Sequence, residues 1–527
     1  MARTDLPDGL AHIIERCLEK ERERRFQTAT DLLDRLKAVG QAMDRGTPAP
    51  AFVEPAAAPP QGVSSIAVLP FVNRSRDEED EYFSDGLADE LLNVLAKIRG
   101  LRVAGRTSSF QFKGKGEDLR AIGRKLNVAT LLEGSVRKSG NRVRIAVQLV
   151  KAFDGYHLWS ETYDRTLDDI FAVQDDIAQS VVKELRATLL GEVPDSKSNA
   201  GLMAEVAAAA RGRGESGEAH RLYLQGRYFV DRGSREGAAK GIGYLRQALE
   251  LDPGHALAWA ELSRAHMNEA NGGWAPVAES YARAREAVKR ALALEPDLAE
   301  GHARLGGIQK NYDWDWTGAE ASYRRALELA PGNPVVLDGA GVLAESLGRF
   351  EEAIQLMRRS VERDPLSSAA YSNLALVCYS AGRLAEAEEA CRKTLDLAPQ
   401  RICTRAHLAH VLLDQGRGEE ALAEARQEPE EVHRLWALAT VHHAAGRRAE
   451  SDEALRELVE KHAKDWAFQI GEVHAARGEV DAAFEWLERA YAQRDPGLAY
   501  LKPDRMLRSL RGEPRWGALL RMVGFEE

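Results

Sequence analysis

Proline recurs at nearly constant spacing along the second half of this 527-residue chain, and that spacing leaves few folds open. Each time it follows a small residue by five positions: Ala248 and Pro253, Ala291 and Pro296, Ala326 and Pro331, Ser360 and Pro365, Thr394 and Pro399. The prolines are 43, 35, 34 and 34 residues apart. An alanine stands twelve residues ahead of each later proline (Ala284, Ala319, Ala353, Ala387), and Ala421 continues the series. Glycines mark a turn within each unit: Gly348, Gly382, Gly416, Gly446 and Gly478. Small residues on two helices let their backbones approach, and a proline placed after the second helix cannot continue it. The pattern predicts stacked helix pairs, each burying its apolar face against its neighbours. About eight pairs fit between residues 218 and 492. The first is irregular, with Gly241 in the alanine's place, and the sixth and seventh are shortened. The 43-residue step is read as extra loop within residues 269–280, and the tail from Arg494 to Phe525 as a cap on the last apolar face.

A two-helix unit of this period resembles the tetratricopeptide repeat. The resemblance implies a protein or peptide partner held in a concave groove. The first helix of each unit would line that groove at its second, fifth, ninth and twelfth positions. In the seventh unit these are His433, Trp436, Thr440 and His443, and His410 holds the ninth position of the sixth. Two places are open to Trp436, the groove or the packing between units. Trp314 and Trp316 are expected in the packing between units.

Ahead of the repeats, residues 63–190 mix strand and helix patterns. "SIAVLPF" is a short apolar strand, and Leu87, Leu91 and Leu95 make a helical stripe after it. Two strands, "ATLLEGSVRKSG" and "NRVRIAVQLVKA", meet at Ser139-Gly140-Asn141, with Val143, Ile145 and Val147 on one face and Arg142 and Arg144 on the other. A turn at Asp154-Gly155 leads into a further strand, and a helix over about 168–190 closes the unit. The order β-α-β-α-β-β-β-α predicts helices against a mixed, largely antiparallel sheet. "IAVLPF", "YFSDGLADELLNVLAKIRGLRVAGRTSSFQFKG", "LLEGSVRKSGNRVRIAVQLVKAFDGYHLWSETYDR" and "DIFAVQDDIA" together resemble the TolB-like N-terminal domain. That module precedes tetratricopeptide repeats in bacterial fusions with adenylate cyclases, Ser/Thr kinases or winged-helix regulators. The resemblance implies a sensory or protein-interaction role.

Residues 1–40 read as two amphipathic helices around a basic turn. They resemble the last helices of a bacterial Ser/Thr kinase C-lobe: Cys17, Leu18 and Lys20 match the opening of that pattern, and Arg25 and Phe26 its close. Glu21-Arg22 replaces the Asp-Pro of that family, and the resemblance leaves Arg25 an orphan, because the glutamate it would pair with in a kinase belongs to an upstream activation segment that this chain does not carry. The Pro/Ala-rich stretch 41–62 reads as a semi-rigid linker. Residues 191–217 read as a second linker with some helical propensity.

What chemistry the chain can carry is limited by what it lacks. It has no Gly-rich phosphate loop after a strand, and no Val-Ala-Ile-Lys, His-Arg-Asp or Asp-Phe-Gly, which phosphoryl transfer needs to hold ATP and magnesium. Gly212, Gly214 and Gly217 spell Gly-x-Gly-x-x-Gly, but after an alanine run instead of a strand. His407 with His410, and His442 with His443, come nearest to a metal set, yet no cysteine pair accompanies them. A net charge of −10 argues against nucleic acid or an anionic membrane as partner. No apolar run is long enough to span a bilayer, and four scattered cysteines suit a reducing compartment. The expectation is therefore a multidomain cytoplasmic protein: an α+β TolB-like domain (63–190), then an all-α tetratricopeptide repeat solenoid with its cap (218–527). It is expected to be non-catalytic, without cofactor or metal, and to regulate or scaffold a protein or peptide partner, with a kinase or cyclase as a possible partner. The alternative is the C-terminal fragment of an active Ser/Thr kinase.

Overall fold

The computed structural model describes residues 64–75, 80–98, 100–166, 169–190 and 196–525. The expectations for residues 1–40, with Cys17 and Arg25, and for the linker 41–62 lie outside the described residues.

The first part is a sheet with helices on it. Its strands are β1 (Ser64–Val68), β2 (Val72–Asn73), β3 (Leu101–Val103), β4 (Thr130–Ser139), β5 (Arg142–Lys151) and β6 (His157–Thr166). Its helices are α1 (Glu81–Ala96), α2 (Arg106–Phe110), α3 (Leu119–Leu126) and α4 (Ile170–Leu190). Strand order is β3-β1-β4-β5-β6, with β2 beside the far end of β4. The sheet is more evenly mixed than the pattern predicted. β1 runs parallel to both β3 and β4, and the antiparallel pairing is confined to the long β4-β5-β6 meander. Short strands separated by helices need crossovers, and crossovers give parallel neighbours. The alternation in β5 does what period two dictates: Val143, Ile145 and Val147 are buried, while Arg142 and Arg144 both reach Asp164 on β6 at 2.8 and 2.7 Å.

The stretch read as a second linker is helical over Ser196–Ala209 (α5), and its Arg213 is buried, 2.8 Å from Asp175 and 3.4 Å from Glu90. Eight helix pairs follow. They are α6 (Gly217–Val230) with α7 (Arg235–Leu251), α8 (Ala256–Asn271) with α9 (Val277–Leu294), α10 (Ala299–Ile308) with α11 (Trp316–Leu329), and α12 (Pro334–Ser346) with α13 (Phe350–Arg363). Then come α14 (Ser368–Ser380) with α15 (Leu384–Leu397), α16 (Thr404–Asp414) with α17 (Gly418–Arg426), α18 (Glu431–Ala444) with α19 (Arg448–His462), and α20 (Ala467–Ala476) with α21 (Val480–Gln493). Ala284, Ala319, Ala353, Ala387 and Ala421 are all fully buried where the two helices of a pair meet. Gly241 stands in for this alanine because a Cβ there would lie 2.5 Å from Val230 Cγ2 and 2.8 Å from the Gly226 carbonyl.

The five turn glycines have φ of 72–78°. Around each, the next N–H bonds back to the preceding helix: Arg349 to Ala344 O, Arg383 to Cys378 O, Arg417 to Leu412 O, Arg447 to His442 O and Glu479 to His474 O, at 2.8–2.9 Å. This is the 6→1 bond that ends a helix on a left-handed residue, a conformation that glycine adopts at the least cost. The 43-residue step differs from its expected cause. Residues 272–276 alone form loop; the rest of the insertion lengthens α8 and α9 to 16 and 18 residues.

Successive first helices pack on one another, and no comparable contact joins successive second helices. The first helices therefore line the inside of the curve. Both halves of that inside face are covered. The α/β part lies over the first helices of pairs one to four, through α1 against α6 and through α2 against the loop after α13, where Ser108 N donates to Asp364 Oδ1 at 2.6 Å and Leu366 N to Ser108 Oγ at 2.7 Å. The tail covers the rest. Beyond capping α20 and α21, it reaches back to pair three: Trp316 stacks on Phe525 at 4.3 Å and donates from Nε1 to Val523 O at 2.9 Å. Trp314 stacks on Tyr491 at 5.3 Å. The two tryptophans are core residues, but they seal the chain's end onto its middle.

Candidate functional site

Between the tail and the inside face a cavity of about 480 Å³ remains, walled by α14, α16, α18, α20 and tail residues 505–509. His410, Thr440 and His443 line it. The histidine stripe reaches the wall because α16 and α18 are adjacent first helices, and residues at i, i+3 and i+7 share one face. Thr440 Oγ1 lies 2.8 Å from His410 Nε2 and 2.9 Å from Ala437 O, so the threonine and the imidazole are hydrogen-bonded to each other with either ring nitrogen protonated. Burial presses the pKa of His410 down to about 4, so the ring is neutral at physiological pH.

The other two predicted residues lie elsewhere. Trp436 is 5 % exposed and packs between pairs, edge-on to His410 at 4.4 Å and to His407 at 5.5 Å. His433, half-buried, meets Trp466 edge-on at 4.7 Å, and burial lowers its pKa to about 4. His433, Trp436, Thr440 and His443 all lie on α18: its C-terminal half, with Thr440 and His443, lines the cavity, while His433 and Trp436 in its N-terminal half pack against the neighbouring pairs.

The sequence reading missed the charged members of the wall. Asp414 lies one turn beyond His410, and Arg505 and Arg508 of the tail approach it at 3.0 and 3.4 Å. Arg505 also lies over the Tyr379 ring, 5.5 Å from its centroid. Extending the His410 stripe by four positions finds Asp414; the tail arginines carry no local signal. Beneath them, Glu472 on α20 faces both the Trp436 indole and the Asp504 carboxyl of the tail. Burial and the neighbouring carboxyls hold Glu472 well above the usual carboxylate range. Nearby, burial raises Glu345 to about 7, with Ser380 Oγ donating to it at 2.7 Å. Among the described residues no group of three or more His, Cys, Asp or Glu side chains is arranged to hold a metal ion. Cys378 and Cys391 are buried, and burial raises both thiols, which makes them poor nucleophiles.

Residues 339–402 and 436–499 match the tetratricopeptide repeat family, and the helix pairs are of that kind. Residues 62–180 match the second domain of HilA/YgeH-like transcriptional regulators. A protein of Rhizobium meliloti (strain 1021) named putative adenylate cyclase 3 is 35% identical over 250 residues, which is 47% of this chain and 40% of that protein. Cellulose synthase operon protein C of Xanthomonas axonopodis pv. citri (strain 306) is 36% identical over 122 residues, 23% of this chain and 7% of that protein. The chain thus spans less than half the length of both curated relatives. Among solved structures, a tetratricopeptide repeat protein from Parabacteroides merdae ATCC 43184 aligns over 51% of this chain and 100% of its own, with a TM-score of 0.37 and 14% identity. No described helix is long and apolar enough to cross a membrane.

Proposed function

We propose that this chain is a non-catalytic regulatory and scaffolding segment. It binds a protein or peptide partner at the inside face of its solenoid, and residues 63–190 act as a TolB-like sensory module. The observation that carries this reading is the cavity between α16, α18 and the tail. It has a neutral hydrogen-bonding pair, His410 and Thr440, beside an acidic group, Asp414, on helices that otherwise face each other through apolar contacts. Such a wall suits an extended peptide with a basic residue, which would replace Arg505 at Asp414. The likeness to a longer protein named as a putative adenylate cyclase supports reading the chain as the regulatory portion beside a cyclase or kinase.

The test is a random-peptide display selection against the full chain, with affinities of enriched peptides read by fluorescence anisotropy. Ala444 is exposed at the cavity wall, so Ala444→Arg fills the space without touching the core. Enriched peptides should carry lysine or arginine and lose at least tenfold in affinity for Ala444→Arg. Peptides that bind the variant equally well would sink the reading. The match of Cys17, Leu18, Lys20, Arg25 and Phe26 to a kinase C-lobe favours a second reading, a fragment of an active Ser/Thr kinase. Blotting the native product with an antibody to the repeats decides it. A band heavier by roughly a kinase domain of about 250 residues supports the fragment, and a band at the mass of this chain excludes it.

A further inference from the structure

Positions 82, 86, 89, 90 and 97 share one face of α1, and that face meets the solenoid. Tyr82 Oη accepts from Arg221 at 2.7 Å, and Asp89 lies 2.7 Å from Arg227. Glu90 lies 3.2 Å from His220 and 3.4 Å from Arg213, and Lys97 lies 3.1 Å from Glu300. In the middle of the stripe a Cβ on Gly86 would stand 3.0 Å from three carbons of Leu224. The opposite face, with Phe83, Leu87 and Leu91, joins Ile66, Val68 and Ile145 of the sheet in one apolar cluster. One side of α1 therefore builds its own domain, and the other lies in the solenoid as a bound helix would.

Two glycines fit this docking better than they fit their own segments. Gly86 stands inside a helix, where only proline is worse. Gly105, the N-cap of α2, has φ −63° and ψ 155°, open to any residue, yet a Cβ there would stand 2.4 Å from Asp364 Cγ. Asp364 supplies the cap that Gly105 lacks, by accepting the Ser108 N–H. In pairs one, six and eight the acidic residue after the second helix closes its own pair. Asp252 accepts from Glu215 N and Ser216 N, Glu428 from Cys403 N and Asp495 from Phe468 N, at 2.7–3.2 Å. In pair four Asn333 caps the first helix instead, through Val335 N at 3.0 Å, and Asp364 is turned outward to the α/β part.

The face under α1 is cationic on the solenoid side. Arg227 on α6, and Arg213 in the stretch that Gly212 O ties to Leu257 N of α8, take their ion-pair partners Asp89, Glu90 and Asp175 from the α/β part. We propose that residues 64–190 are a detachable cover, and that the face they hide on pairs one to four takes, in place of α1, an acidic amphipathic helix of a partner protein. The helix that fits sets a small residue against Leu224 and two carboxylates, three and four positions on, against Arg227 and against Arg213 with His220. This face is separate from the cavity beneath the tail and does not rest on that reading.

The experiment opens the cover in the full chain with Gly86→Gln and Gly105→Asp together. The first replaces a poor helix former, and the second gives α2 a cap of its own while repelling Asp364. By hydrogen exchange the double variant should lose at least tenfold in protection over residues 217–230 and 364–368, and keep wild-type protection in β4 and β5. Gly105→Asp alone should do the same to a smaller extent. The probe is an alanine-based helical peptide with Tyr, Gly, Asp, Glu and Lys at the spacing of positions 82, 86, 89, 90 and 97, followed by fluorescence anisotropy. It should bind the double variant at least tenfold more tightly than wild type, and a peptide with lysine in place of both acids should bind neither. Wild-type protection in the double variant, or loss of β4 and β5 protection in both variants, would show that the α/β part is no cover. Equal binding of the probe to wild type and double variant, its failure to bind, or equal binding of the lysine peptide would overturn the assignment of the face.

Discussion

The inside face of the solenoid is covered twice, and the two covers differ in how much charge they bury. Over pairs one to four the cover is the α/β part: Leu87 and Leu91 share one apolar cluster with Leu222 and Leu224, and an ion network runs through the same contact, Asp89 with Arg227, Arg106 with Asp231, Glu90 with His220 at 3.2 Å and Lys97 with Glu300. Over the later pairs the cover is the tail, and the contact is apolar: Leu498, Leu501, Leu507 and Leu510 are all fully buried, in one cluster with Phe468, Phe484 and Trp316. Apolar contact carries no charge, so the tail's pH response comes only from the few carboxyls beneath it. In a desolvated ion network every member titrates or is paired, and each is costly without its partner. The N-terminal cover is therefore suited to changing state, and the C-terminal cover to holding shape.

The sharpest way to break this comparison is to remove the apolar cover. A chain ending at Gln493 leaves Phe468, Phe484, Trp314 and Trp316 without the tail that buries them. Losing even a few fully buried leucines at about 2–5 kcal/mol each exceeds what a domain can spare. The truncated chain should associate or unfold in its last three helix pairs, read by light scattering and by loss of exchange protection in residues 431–493. A monomer with wild-type protection there would show the tail to be an accessory.

How much of this was legible follows the same division. The helix pairs were legible because their signals are local and repeated: a buried Ala353 or Ala387 and a left-handed Gly348 or Gly382 recur every 34 residues. The strands around Val143, Ile145 and Val147 were legible for the same reason, since alternation is a two-residue property. The covers were not. Ser108 meets Asp364 across 256 residues, and Trp316 meets Val523 across 207. No periodicity encodes such a meeting. The candidate site divides likewise. His410, Thr440 and His443 were found by a stripe along first helices, but Arg505 reaches Asp414 from a segment with no repeat in it. Trp436 left the wall because the inter-pair gap beside His407 and His410 takes an indole, and burying one there gains more than exposing it.

A smaller perturbation tests the charged cover. Asp89→Ala leaves Arg227 and Arg106 facing each other without their shared carboxylate, and should cost about 3–5 kcal/mol. Replacing Asp89 by Leu and Arg227 by Met together should cost less than Asp89→Ala alone, since no buried charge from that pair is then left unpartnered. In the tail the comparable pair, Leu507→Ala with Leu510→Ala, leaves no charge unpartnered and should cost more than either single. Denaturant unfolding followed at both covers separates these outcomes. Additive behaviour at Asp89 and Arg227 would remove the distinction drawn between the two interfaces.

The smallest effect is the most diagnostic, because the two covers should answer pH in opposite directions. At the tail, burial raises Glu345 from its ordinary 4.5 to about 7, with Lys310 and the Asp504 carboxyl beside it, and Glu472 is raised by burial and by Asp504. A carboxyl whose folded pKa is raised gives its full contribution below about 4.5 and loses it as pH climbs through 7. At the α/β cover, burial and His220 press His255 from 6.5 to about 3, against the pull of Glu90 and Asp252. A histidine held neutral gives its full contribution above 6.5 and loses it as pH falls toward 3. Hydrogen exchange, corrected for its intrinsic pH dependence, should show residues 498–510 opening between pH 5 and 8, and residues 81–96 and 217–230 opening between pH 6.5 and 4. By linkage each change is worth about 2.5–3 kcal/mol across its window, on the order of a hundredfold change in opening. Glu345→Gln keeps an oxygen for Ser380 and should flatten the tail's response while leaving the α/β cover's unchanged. If Glu345→Gln leaves the tail as pH-sensitive as before, the carboxyl cluster under the tail is not what controls its docking.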